Sequence, residues 1–189
     1  DTSISTSLEY DGITRLNRNT PTLINSEFNH LILLDGKHIT LQDQMQDVIT
    51  NPKELGMKRE DIVDKVMSCP DYKKAFHTFL KYTPTEQKIT PEHIVSVISM
   101  YVSTLSQYKA PFDQMMNGTQ PINDEVQAGF NLFMGKAACG TCHFAPTFAG
   151  LVPPRFTESE SEILGILQQF DTLSPKLDTD AGRYAGHAK

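Results

Sequence analysis

The stretch Ala138-Cys139-Gly140-Thr141-Cys142-His143 constrains this chain more than any other. Two cysteines three positions apart, with a histidine directly after, ask for a helical turn that carries both sulfurs on one face. Such a string arises by chance in roughly one chain in a thousand of this length and composition. The spacing suits covalent attachment of a c-type haem: each thiol takes one vinyl group, and the imidazole of the next residue reaches the iron as proximal ligand. A thioredoxin-like dithiol wants a preceding strand in an alternating β/α pattern, which the sequence lacks. A structural zinc site wants a second cysteine or histidine pair, and none is spaced for it. Cys139 and Cys142 are therefore read as attachment residues and His143 as the iron ligand. Cys69 stands alone and reads as a spectator, so the three cysteines make no disulfide scaffold.

The segment leading into the motif is helical in pattern. Asn123 caps a helix whose apolar residues Val126, Phe130, Phe133 and Met134 recur at helical spacing. Further upstream, Thr40 caps a helix carrying Leu41, Met45, Val48 and Ile49, which ends before Pro52. Ile62, Val63, Val66 and Met67 mark a helix over about 59–68, and Ala75, Phe76 and Phe79 another over about 71–81. Thr90 and Pro91 open a longer helix to about Gln107, with Ile94, Ile98, Tyr101, Val102 and Leu105 as its apolar face. Residues 1–22 and 144–156 read as irregular, and a last helix is expected from Glu158 to Phe170. Two prolines and a glycine in 109–125 interrupt the pattern and suggest a domain boundary. The expectation is an all-α chain of two lobes, residues 1–119 and 120–189, the second carrying the Cys-x-x-Cys-His motif.

With 189 residues the chain is long enough to bury a core. A formal charge of −6 argues against a nucleic-acid partner, which would call for a basic face. No apolar run approaches the length of a membrane-spanning helix. The opening DTSISTSLEY lacks the basic-then-apolar pattern of a signal peptide. His30, His38, His77 and His93 sit at no ligand spacing and read as surface or packing residues. His187 reads as a solvated histidine near the end of the sequence.

Three stretches, NRNTPTLIN (17–25), LLDGKHITLQDQMQDVITNPKELG (33–56) and GFNLFMGKAACGTCHFAPTF (129–148), resemble the bacterial di-haem cytochrome c peroxidase family, which includes MauG-like enzymes. The resemblance implies two c-type haems in two cytochrome-like domains. Cys139, Cys142 and His143 match the second, electron-entry haem; the first, peroxide-reducing haem is expected from a motif upstream of Asp1. Gln44 and Glu54 match the polar pair on the peroxide side of that first haem, and Asn19 matches a calcium-binding asparagine. The implied activity is reduction of hydrogen peroxide to water with electrons from a small periplasmic donor, a cytochrome c or a cupredoxin. A homodimer is compatible with the resemblance. The alternatives are MauG-like oxidation of side chains on a partner protein, and a mono-haem electron carrier. Leu34 stands where many members have tryptophan, and the chain contains no tryptophan. An indole relay at that position is thus not open to it. Tyr10 and Asp11 occupy the neighbourhood of a histidine that often ligates the first haem.

Overall fold

A computed structural model describes residues 6–83, 88–151, 165–169 and 173–185. Among the described residues six α-helices follow one another: α1 (Leu41–Thr50), α2 (Asp61–Met67), α3 (Pro70–Tyr82), α4 (Pro91–Ser103), α5 (Pro111–Met116) and α6 (Asp124–Met134). A 3-10 turn, Cys139–Thr141, follows α6. Two short strands, β1 (Leu167–Gln169) and β2 (Lys176–Leu177), pair antiparallel with Leu167 opposite Leu177. The chain divides into two compact units. One comprises Asp1–Thr22 with His38–Thr104, the other Leu23–Lys37 with Leu105–Lys189.

In the first unit α1 packs against α4, and α2 against α3 and α4. Ile49, Ile62, Ile89, Ile94 and Val95 form its buried core, flanked by Met45, Val63, Val66, Met67, Phe76, Leu80 and Ile98. Thr40 caps α1 as expected, accepting from the Asp43 N–H at 3.0 Å. At α4 the histidine in the first turn contributes: His93 Nδ1 accepts from the Thr90 N–H at 3.1 Å, satisfying a donor that precedes the helix. His38 Nε2 meets Asp47 Oδ2 of α1 at 3.0 Å, and its side chain is only 11% exposed. Ile62 is 2% exposed and lies among these helices. Ile62→Ala is expected to lower stability by about 3 kcal/mol, through lost transfer energy and the cavity left behind. Urea denaturation checks this, and a loss within about 0.5 kcal/mol, the size of a surface change, would contradict the packing.

Three expectations need correction. Helix α4 ends at Ser103, where the Thr104 hydroxyl turns back to the Tyr101 carbonyl at 2.6 Å, so Leu105 lies outside it. Its buried face is Ile94, Val95, Ser99 and Val102, while Tyr101 is 64% exposed. The interrupted segment 109–125 contains α5, because Pro111 occupies the first helical position, where its missing N–H is not needed. The Asp113 carboxylate accepts from the Ala110 N–H at 2.9 Å, and Gly118 ends the helix with φ +71°.

Asn25 and Gln107 exchange hydrogen bonds of 3.3 and 2.8 Å, and Phe28 packs against Tyr108 with ring centroids 5.7 Å apart. Residues from 105 onward are thereby tied to the 23–37 segment. Of the expected last helix, residues 158–164 lie outside the described residues. Residues 167–169 form a strand, with Gly165 at φ +60° just before it, a conformation a helix cannot continue through. Among the described residues the fold is mostly helical, with one antiparallel pair of short strands.

Candidate functional site

The haem-type motif lies in the second unit and is built from α6 onward. Asn123 Oδ1 accepts from the N–H groups of Glu125 and Val126 at 2.9 and 3.3 Å, the cap expected from its residue type. Helix α6 ends at Gly135, and four residues on the chain enters the 3-10 turn of Cys139–Thr141 with Ala138 in the left-handed region. Within this turn the Cys142 and His143 N–H groups both donate to the Cys139 carbonyl, at 3.2 and 3.0 Å. Cys139 is half-buried, Cys142 exposed, and both are free thiols.

His143 Nδ1 lies 2.8 Å from the carbonyl oxygen of Phe148. A carbonyl can only accept, so Nδ1 carries a proton, and in the neutral ring Nε2 then keeps its lone pair. This is the tautomer that an iron ligand requires, with the second nitrogen anchored by a backbone acceptor. Phe148 has a left-handed backbone (φ +53°), which for a bulky residue costs about 1–2 kcal/mol. Its N–H donates to the Phe144 carbonyl at 2.7 Å, and its ring packs edge-on against Phe133 and Phe112. The Phe133 ring also lies 6.3 Å from the imidazole. Two free thiols on one short turn, beside an imidazole held in the ligand tautomer, fit a covalently attached c-type haem.

Two glycines serve this segment through close approach. A Cβ on Gly135 would lie 2.7 Å from the Asn131 carbonyl oxygen, which already accepts the Gly135 N–H. A Cβ on Gly140 would meet Sδ of Met134, a flexible side-chain end packed against the motif. Gly135→Ala is expected to cost about 1–3 kcal/mol, the range for forced overpacking, and Gly140→Ala less because Met134 can turn aside. Thermal melting of the two variants checks the order, and a more damaging Gly140→Ala would refute it.

Beside the motif lies an open cavity of about 830 Å³, lined by aromatic residues including Tyr108, Phe112, Phe130, Phe133 and Phe148. Neither cysteine nor His143 lines it.

The other candidates lie in the first unit. Gln44 is half-buried on α1, and Glu54 is half-buried in the turn just beyond its end. No hydrogen bond joins them among the described residues. Glu54 Oε1 accepts from Asn51 Nδ2 at 3.1 Å. Asn19 is exposed, and its amide oxygen accepts from the Ser7 hydroxyl at 3.1 Å and the Thr20 N–H at 3.0 Å. A cation at Asn19 would have to displace both donors. Asp11 is engaged in its own turn, where bonds from the Thr14 hydroxyl and the Ile13 and Thr14 N–H groups hold its carboxyl below the usual range. Among the described residues no cluster of three His, Cys, Asp or Glu is poised for a metal ion. His187 lies outside the described residues. Phe148 and Asn51 were missed in the sequence; the first acts through a backbone carbonyl, which no residue type signals.

Comparison with known proteins finds relatives of this chain. The family described as di-haem cytochrome c peroxidase matches residues 2–121. The methylamine utilization protein MauG of Methylorubrum extorquens is 30% identical over 142 residues, 70% of this chain and 39% of that protein. Cytochrome c551 peroxidase of Nitrosomonas europaea is 28% identical over 158 residues, 83% of this chain and 43% of the other. The cytochrome c peroxidase of Escherichia coli is 33% identical over 127 residues, covering 66% and 26% respectively. The chain thus spans less than half the length of each of these relatives. The crystal structure of a MauG-like protein associated with microbial copper homeostasis shares the fold, with a TM-score of 0.63 at 23% identity over 74% of this chain and 41% of that one. The helical first unit with Gln44 and Glu54 falls within the matched residues, and the haem-type motif follows it: the chain belongs to the di-haem cytochrome c peroxidase family.

Proposed function

We propose that this protein reduces hydrogen peroxide to water in the periplasm, drawing electrons from a small donor protein, a cytochrome c or a cupredoxin. The observation that supports this reading most is the family match over residues 2–121, which takes in α1 and the turn after it. When bound, c-type haem supplies the redox-active iron at which peroxide is reduced. Breaking the O–O bond to give two waters consumes two electrons and two protons. It also requires a proton to move from one peroxide oxygen to the other. A carboxylate within hydrogen-bond reach does this, first as base and then as acid. Glu54 is assigned that role, with Oε1 engaged by Asn51 and Oε2 without a hydrogen-bond partner among the described residues. Gln44 is assigned to orient the peroxide through its amide. In the second unit, Cys139 and Cys142 would hold a haem covalently and His143 would ligate its iron through Nε2, its Nδ1 proton being held by the Phe148 carbonyl.

A MauG-like oxidation of side chains on a partner protein is the second reading, favoured by the 30% identity to the M. extorquens protein. Stopped-flow mixing of the full-length, haem-loaded protein with reduced cytochrome c and peroxide separates the two. Sustained oxidation of the cytochrome in proportion to peroxide supports the first. Oxidation that stops once the protein's own haems are spent overturns it in favour of the second.

A further inference from the structure

We infer that Asn51 is a positioning residue for the Glu54 carboxylate, an inference that rests on the role given to Glu54 above. Asn51 is the C-cap of α1, and its carbonyl accepts from the N–H groups of both Glu54 and Gly56 at 2.9 Å. Its side chain makes two further bonds inside the same turn. Oδ1 accepts from the Lys53 N–H at 3.1 Å, and Nδ2 donates to Glu54 Oε1 at 3.1 Å. These partners fix which way the amide faces: a backbone N–H demands the oxygen, and a carboxylate demands the NH2 group.

The turn is braced on both sides. The Leu55 N–H donates to the Val48 carbonyl at 3.2 Å, and the Met57 N–H to the carbonyl of buried Ile49 at 2.9 Å. From residues 9–10, the Tyr10 N–H reaches the Lys53 carbonyl at 2.9 Å. Glu9 pairs with the Lys53 ammonium at 3.2 Å, which directs that charge to Glu9. A proton-transfer group must be held to within about 0.5 Å of its productive position by partners that are themselves fixed. A glutamate on a bare turn samples several rotamers; one bonded at Oε1 presents Oε2 in one direction.

An asparagine between a helix and a proline also has an ordinary use, as an acceptor that closes the turn. Aspartate serves that use equally well, since Lys53 N–H needs only an oxygen. Asn51→Asp therefore keeps the acceptor for the Lys53 N–H and replaces the donor to Glu54 by a second carboxylate oxygen, which repels the Glu54 carboxylate instead of holding it. In the full-length, haem-loaded protein, Asn51→Asp is expected to lower kcat for peroxide about tenfold, the effect of losing a hydrogen bond to a charged group. KM for peroxide and the melting temperature should stay close to the parent's. In a Glu54→Gln background the same change should cost no further turnover, because residue 54 then carries no proton for the bond to position. Undiminished kcat in Asn51→Asp, or an equal loss in the Glu54→Gln background, overturns the inference. Where Glu54→Gln is impaired and Asn51→Asp is not, the inference alone falls. Where Glu54→Gln turns over like the parent, the role of Glu54 falls and the inference with it.

Discussion

Replacing Glu54 by glutamine in the full-length, haem-loaded protein is expected to lower peroxide turnover about 10²-fold or more, the usual effect of losing an acid–base group. Glutamine keeps the length of the side chain and an oxygen able to accept from Asn51 Nδ2, so the turn should hold. What it loses is the capacity to take a proton from one oxygen and return it to another. The loss should therefore appear in kcat and kcat/KM together, as for an interaction made in the transition state. Haem content and the redox behaviour of the His143 haem should not change, because Glu54 belongs to the other compact unit. Steady-state peroxide assays of both proteins, matched for haem content, decide it. Equal turnover would leave Glu54 as a half-buried carboxylate in a turn and nothing more.

The second large effect is expected at Cys139 and Cys142. Expressed with a c-haem maturation system, the chain should retain one haem after denaturation, because each thiol adds its S–H across a vinyl group and the sulfur–carbon bond survives unfolding. The double variant Cys139→Ser/Cys142→Ser should lose all covalent haem, while either single variant should keep at most one thioether link. Mass spectrometry of the denatured proteins reads this directly. Two free thiols in the parent chain after maturation would exclude the motif as a haem site. Expression without the maturation system should yield titratable thiols at both positions, since neither is in a disulfide.

Much of the local structure was determined by the order of residues. Thr40 and Asn123 carry side-chain oxygens able to satisfy the first N–H groups of a helix, and α1 and α6 begin directly after them. The apolar spacing of 41–49, 62–67 and 126–134 likewise marks helices without reference to anything distant. The Cys-x-x-Cys-His spacing is of the same kind, because attachment chemistry needs those residue types at those positions. The residues 17–25, 33–56 and 129–148 together suggested the family, which the match over residues 2–121 then established.

Other features depended on partners remote in sequence or without a side-chain signature. The acceptor that sets the tautomer of His143 is a main-chain carbonyl, aimed by a left-handed phenylalanine whose ring packs against α5 and α6. Every residue has a carbonyl, so no residue type could have marked Phe148. The strand at Leu167–Gln169 follows from pairing with Lys176–Leu177, an interaction that helical periodicity cannot register. Asn25 and Gln107, 82 positions apart, exchange two hydrogen bonds that no local pattern in the sequence announces. At Asn51 the residue type suggested only a helix end. Its bond to Glu54 exists because the turn folds the side chains three positions apart onto one another, and only that geometry makes an ordinary cap a candidate for holding a proton-transfer group in place.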